Sequence, residues 1–271
     1  MITDGFLVVD KSAAMTSHDV VAIARRALGT KKVGHAGTLD PMATGVLVLG
    51  FGNGTRLLQY ITEGEKEYVA TIVLGASTVT DDSEGQVVKG AAVEEIAQIT
   101  DEQIHSELGK MVGIISQRPS SVSAVKVAGE RAHARVRAGE SFELPAREVH
   151  ISSLVVKAIR RLEHSIEVDI EVVCGAGTFI RAIARDCGQD LKVGGHLNAL
   201  RRTRVATFGV QEAISVESLQ SGDFTPLHIG DVAAKTFSIR ELHSYDTREL
   251  SFDRVISSHA KDQTPTPLQH S

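Results

Sequence analysis

From Lys31 to Gly45 the chain abandons every periodic pattern. KKVGHAGTLDPMATG carries three glycines and a proline with no hydrophobic repeat, and it runs directly into the apolar stretch Val46 to Leu49. A short apolar run bounded by turn residues reads as a buried strand. The fold therefore has to hold an irregular loop rigidly at the mouth of a strand, a common setting for chemistry. Within the loop, Asp40 stands between glycine-rich turns, and Pro41 restricts the backbone directly after it. Taken alone, an Asp before Pro is more often a turn former than a catalyst.

The flanking patterns supply the frame. Gly5 to Asp10 reads as a short buried strand. It is followed by Ser17 as the N-cap of a helix with Val20, Ile23, Ala24, Ala27 and Leu28 at helical spacing and Gly29 at its end. Thr55 to Ile61 suggests a short helix. Glu67 to Leu74 is a β-branched strand that runs into the polar turn TVTDDSEG. Thr100 can cap a helix from Asp101 to about Met111, with acids in its first turn. Val149 to Val156 and Ser165 to Val173 read as a hairpin around RRLEH. Thr178 to Leu191 places Ile180, Ile183, Ala184 and Cys187 on one helical face, with Arg181 and Arg185 one turn apart beside it. Long strands interspersed with helices predict an α+β architecture.

A chain of 271 residues can bury one large core plus a small appendage. Aromatics at 4% with no Trp leave little for an extended base-stacking surface, and a net charge of −5 does not announce a polyanion binder. That average conceals segregation. From Val205 to the end, nine Asp/Glu against five Lys/Arg hold −4 of the −5. Arg181 to Arg204 carries six Lys/Arg against two Asp, and Arg118 to Arg137 carries five against one Glu, two blocks able to form a footprint for phosphates. No P-loop or GxGxxG follows a strand, so a nucleotide cofactor is not indicated. Cys174 and Cys187 lack CxxC spacing and read as free thiols, with neither a zinc site nor a redox pair. No secretory signal or run of membrane-spanning length appears, which points to the cytoplasm.

The string HAGTLDPMATGVL resembles the bacterial tRNA pseudouridine-55 synthase family, the TruB family. It is preceded by DGFLVVDK and TSHDVV and followed by KEYVATIVLG. RPSSVSAVKVAGERAHARVRAGE, ELPAREVHI, CGAGTFIRAIARDCG and HLNALRRTRVATF extend the likeness in order from about Asp4 to Phe208. The resemblance implies a pseudouridine synthase fold, with a central mixed, largely antiparallel sheet flanked by helices. It also implies isomerisation of uridine-55 in the T-loop of tRNA, with no cofactor, metal, guide RNA or required protein partner. A monomer gripping the T-arm is expected.

The same resemblance implies roles residue by residue. Asp40 matches the nucleophile, which would attack ribose C1′ or uracil C6. An unperturbed Asp, with a pKa of about 3.9, is ionised at neutral pH. Tyr68 matches the pocket tyrosine that packs on the flipped base; without the resemblance it reads as a half-buried strand residue. Arg181 matches the arginine that pairs with the nucleophile. Phe179 stands where the family commonly has Tyr, which retains apolar packing and loses a hydroxyl. Leu200 matches an apolar lining residue, and His35 the histidine that fills the space left by the flipped nucleotide. Lys11 is grouped with these substrate contacts rather than with the catalytic set. It begins DKSAAMTS, where the family's KPxGxTS pattern has lost Pro and Gly to Ser12 and Ala14, leaving the loop backbone open.

Residues 1–230 are expected to form the catalytic domain, and 231–271 a short or incomplete RNA-binding unit with a mobile end. Two other readings stand beside this one: a guide-dependent pseudouridine synthase, and a tRNA-binding folding factor for which catalysis is dispensable. A nucleoside hydrolase fits less well, because the motif lacks a second carboxylate partner.

Overall fold

The structure is a computed structural model, and it describes residues 3–120, 126–127, 130–131, 144–239, 242, 247–248 and 250–251. Most of the basic block from Arg118 to Arg137 lies outside the described residues, as does most of the chain after 239.

The strands are β1 (Gly5–Lys11), β2 (Val33–His35), β3 (Thr44–Phe51), β4 (Lys66–Leu74), β5 (Ala76–Thr78), β6 (Val87–Gly90) and β7 (Gly113–Gln117). After them come β8 (Lys126–Val127), β9 (Glu130–Arg131), β10 (Arg147–Arg161), β11 (Ile166–Cys174), β12 (Gly195–Val205), β13 (Phe208–Gly209) and β14 (Ile214–Ser215). The helices are α1 (Ser17–Ala27), α2 (Leu58–Glu63), α3 (Val93–Ala97), α4 (Asp101–Gly109), α5 (Ile180–Asp190), α6 (Val216–Ser221) and α7 (Ile229–Thr236).

One sheet carries the fold in the order β14-β1-β3-β12-β4-β11-β10-β7, with β2 added on β3 and β13 on β12. Only β1/β14 and β3/β12 run parallel within it, so the sheet is mixed and largely antiparallel, as expected. Pairing in the parallel sense needs a long crossover, and here that crossover brings β12 back between β3 and β4.

β1 and β3 are covered on both faces. Leu7, Val9, Leu47 and Leu49 pack with α1 and α6, while Phe6, Val8, Val46 and Val48 pack with Leu58, Ile61 and Phe208. Double coverage explains why their sequences are apolar runs rather than alternations. β4 and β11 alternate instead. Tyr68, Ala70, Ile72 and Leu74 join Val168, Ile170 and Val172 against Ile180, Ile183 and Cys187 of α5. The two faces of the sheet thus fix which side of β4 looks toward the loop and the helix.

The N-cap of α1 is Thr16, not Ser17. Thr16 accepts the Asp19 N–H at 3.1 Å while the Asp19 carboxylate accepts the Thr16 N–H at 2.8 Å, a closed capping box. Ser17 is thereby released for another task. The boundary expected at 230/231 falls inside α7, whose Val232 is 1% exposed in the cluster with Phe6 and Phe208.

Both cysteines are buried free thiols, and burial pushes Cys174 up to about 11 and Cys187 up to about 12. Neither is a thiolate at neutral pH, and the thiolate is the reactive form. In native buffer a maleimide is expected to leave both unmodified over hours. Both should react within minutes in denaturant, read as two added masses on the intact chain.

Candidate active site

Asp40 lies in the loop between β2 and β3, and its two neighbours are held from the β1–α1 segment. Ser17 is 1% exposed; its hydroxyl donates to the Leu39 carbonyl at 3.1 Å and accepts the Leu39 N–H at 2.8 Å. Lys11 places its ammonium on the carbonyls of Ser12 at 2.9 Å, Met15 at 2.7 Å and Pro41 at 3.3 Å. With the residues before and after it fixed, Asp40 has little backbone freedom. Lys11, expected among the substrate contacts, is fully buried, with its ammonium turned to the carbonyls of the loop. Burial draws its pKa down to about 8, against the opposing pull of the Asp40 charge.

The loop that supports Lys11 answers the question left by its altered pattern. Ala14 adopts φ +60°, a left-handed backbone that costs an L-residue about 1–2 kcal/mol. Glycine adopts that conformation freely but loses more entropy on folding, by about 0.5–1 kcal/mol. Ala14 is exposed and its side chain contributes little packing. Ala14→Gly is therefore expected to stabilise the protein by about 0.5–1 kcal/mol, read as a higher urea midpoint at constant slope.

Arg181 projects from the first turn of α5 toward the loop. Its Nε stands 3.0 Å from Asp40 Oδ2, and its Nη1 stands 3.1 Å from Asp82 Oδ2 and donates to the Thr80 carbonyl at 2.7 Å. The side chains of Arg181 and Asp82 are 5% and 4% exposed, whereas Asp40 is 35% exposed. One guanidinium thus ties an open carboxylate to a buried one. Asp82 is itself braced by the Thr80 hydroxyl and by the Glu84 N–H at 3.1 Å. A turn later, Arg185 pairs with Asp81 at 3.2 Å and with Asp186 at 2.8 Å. The spacing of Arg181 and Arg185 matches consecutive acids in TVTDDSEG. That match was the available signal for Asp82, but only the fold brings the turn and the helix together.

Tyr68 is 8% exposed and shares a cluster with Leu39, Ile180 and Leu200. Burial holds its phenol above the usual range, and Arg202 beside it opposes that shift. At neutral pH it is a protonated phenol. Leu200 registers with Ala70 on β4, two residues along from Tyr68, and so lies on the same buried face.

Phe179 is the N-cap residue of α5 and makes no side-chain cap. Gln117, 2% exposed, grips its main chain from both sides, accepting its N–H at 2.8 Å and donating to its carbonyl at 3.1 Å. Arg147, the cross-strand partner of Gln117, stacks over the Phe179 ring at 5.7 Å. His35 meets His18 edge-on at 5.8 Å, and burial lowers its pKa, with the His18 charge adding to the effect, so it is neutral at pH 7.

The structure therefore brings Asp40 and Arg181 into contact and sets Tyr68 and Leu200 in the cluster around Leu39. Phe179 leads into the Arg181 helix, and His35 lies at the loop's entrance. Asp82, Gln117 and Arg202 were not singled out from the sequence, and Ser17 was read there only as a helix cap. Among the described residues no group of His, Cys, Asp and Glu could hold a metal ion. No helix among them is long and apolar enough to cross a membrane.

Residues 25–180 match the profile of the TruB family pseudouridylate synthase (N terminal domain), and residues 181–224 match the tRNA pseudouridylate synthase B C-terminal domain. A protein of Corynebacterium diphtheriae named tRNA pseudouridine synthase B is 46% identical over 253 residues, covering 93% of this chain and 84% of that protein. One of the same name from Thermobifida fusca is 47% identical over 260 residues, covering 94% and 87%. Among solved structures, a Cbf5-Nop10-Gar1 complex superposes with a TM-score of 0.61 at 28% identity, covering 81% of this chain and 54% of that one. The profiles meet at the Arg181 helix, one ending at its first residue and the other opening on the arginine that holds Asp40, and the chain belongs to the TruB family of pseudouridylate synthases.

Proposed function

We propose that this chain converts uridine-55 in the T-loop of tRNA to pseudouridine, acting as a cytoplasmic monomer that grips the T-arm without guide RNA, cofactor or partner protein. The observation that carries this reading is the Asp40–Arg181–Asp82 array. The Asp40 carboxylate is open enough to meet a substrate, yet it is held by a guanidinium that is itself anchored on a buried acid. A charge-assisted contact of this kind favours the ionised, directed carboxylate a nucleophile needs.

In this reading the uridine leaves its stack and enters the pocket, since a base inside a folded loop cannot otherwise reach the carboxylate. Asp40 attacks ribose C1′ or uracil C6. The N1–C1′ bond breaks, the uracil turns, and a C5–C1′ bond forms; the bond to Asp40 breaks to return its carboxylate, the proton on C5 is released and N1 gains one. Atoms balance without an oxidant or reductant. Tyr68 packs on the base and presents a neutral hydroxyl. Phe179 and Leu200 supply apolar walls, and neutral His35 occupies the space the nucleotide leaves. Lys11 acts on the loop.

The test is tritium release from C5-tritiated uridine in an unmodified tRNA transcript, with the chain alone and the product mapped to its position. Release at the T-loop uridine supports the reading. Tight binding without release favours the folding factor, and release only after a guide RNA is added favours the guide-dependent enzyme.

A further inference from the structure

β12 separates β3 from β4, and at Arg202 it meets both halves of the site. The main chain there registers with Gly45, at the exit of the Asp40 loop, and with Tyr68 on β4. The approach to Gly45 is very close: a Cβ on Gly45, whose φ is +103°, would stand 2.1 Å from the Arg202 carbonyl oxygen. The side chain turns inward and is 1% exposed. Its Nε donates to the Val46 carbonyl at 2.8 Å and its Nη2 to the Gly37 carbonyl at 3.1 Å. Gly37 and Val46 flank Asp40 on either side, so one guanidinium closes the loop that carries it. Tyr68 is the cross-strand partner of Arg202 on β4, and the Arg202 charge acts on that phenol against the effect of burial.

These partners are neutral dipoles, so the positive charge is not cancelled by them locally. It is felt at Tyr68, Lys11, Lys66 and His35. The planar fork matters as much as the charge. It spans two carbonyls at fixed angles, which the point charge of a lysine cannot do.

We propose that Arg202 is a positioning residue for pseudouridine formation, closing the Asp40 loop at Gly37 and Val46 and holding it against the strand that carries Tyr68. The proposal rests on the reading of Asp40 and Tyr68 given above, and the test separates the two. The chain has three tyrosines and no Trp. After 3-fluorotyrosine labelling, the Tyr68 resonance is therefore assigned by its loss in Tyr68→Phe, and its pH titration is followed by fluorine NMR in wild type, Arg202→Lys and Arg202→Gln. Single-turnover rates and tRNA affinities are measured on the same proteins.

The Tyr68 resonance is expected to shift, and its ionisation to move to higher pH, in both Arg202 variants. The single-turnover rate of Arg202→Lys should fall about a hundredfold with tRNA affinity within about twofold, the signature of misplacement rather than lost binding. In a Tyr68→Phe background the same substitution should cost less, because the phenol on which the Arg202 charge acts is gone. If Arg202→Gln does not fold, Arg202→Lys carries the test. An unchanged Tyr68 resonance and titration in a folded variant overturns the proposal, as does a rate equal to wild type. A wild type that forms no pseudouridine overturns the functional reading instead, while the titration, which needs no substrate, still decides whether Arg202 governs Tyr68.

Discussion

Asp40→Asn is expected to form no measurable pseudouridine, a fall in single-turnover rate of more than about 10⁴-fold, comparable to removing a nucleophile elsewhere. Asn matches Asp in shape and keeps an oxygen beside the Arg181 Nε, so the loop keeps its geometry. The neighbours that hold it, Ser17 on Leu39 and Lys11 on Pro41, are untouched. Because the Asp40 side chain is 35% exposed, its ion pair is partly solvated, and the cost to stability should stay within about 1 kcal/mol. Affinity for tRNA should stay within a few-fold, since phosphate contacts hold the substrate and the carboxylate makes none of them. Tritium release, filter binding and urea unfolding on one preparation check the three parts. Full activity in Asp40→Asn would remove Asp40 from the mechanism.

Arg181→Met should damage both chemistry and fold, and the two can be separated. Met fills much of the volume but leaves Asp82, 4% exposed, without its cation and the Thr80 carbonyl without its donor. Removing one partner of a buried pair costs about 3–5 kcal/mol, because the remaining charge stays desolvated. Adding Asp82→Asn should recover much of that stability, since a neutral amide can keep the Thr80 and Glu84 hydrogen bonds. Activity should not return: with Asp40 no longer directed, a loss of about 10³-fold is expected in both the single and the double variant. Recovery of activity together with stability would mean that Arg181 serves only the fold.

What could be read from the sequence divides along a physical line. The elements that rest on local periodicity were legible: β1, β4, the β10–β11 hairpin, α4 and α5 lie where apolar spacing and caps put them. Asp40 and Arg181 were legible because their surrounding strings resemble a family. The misplaced cap of α1 is instructive. Thr16 and Ser17 are both good N-caps, and the choice was settled by a contact 22 residues away, where the Ser17 hydroxyl serves Leu39. Asp82 and Arg202 escaped for a related reason. Arg202 reads as one arginine in a basic run until β12 is known to lie between β3 and β4, which buries it. Sheet order over such separations leaves no trace in a local window, and a buried cation bonded to carbonyls has no acidic partner in the sequence to betray it.

The position of β12 also sets a timetable. Until residue 205 has been synthesised, β1, β2 and β3 have no strand to join them to β4, β11, β10 and β7. At about 5–20 residues per second, roughly 8–31 s pass on the ribosome between the end of β3 and the end of β12. The loop with Asp40 and the strand with Tyr68 meet only when β12 slots between them. A nascent chain halted before that point carries Asp40 and Tyr68 but cannot align them, so the two come into register in a single step.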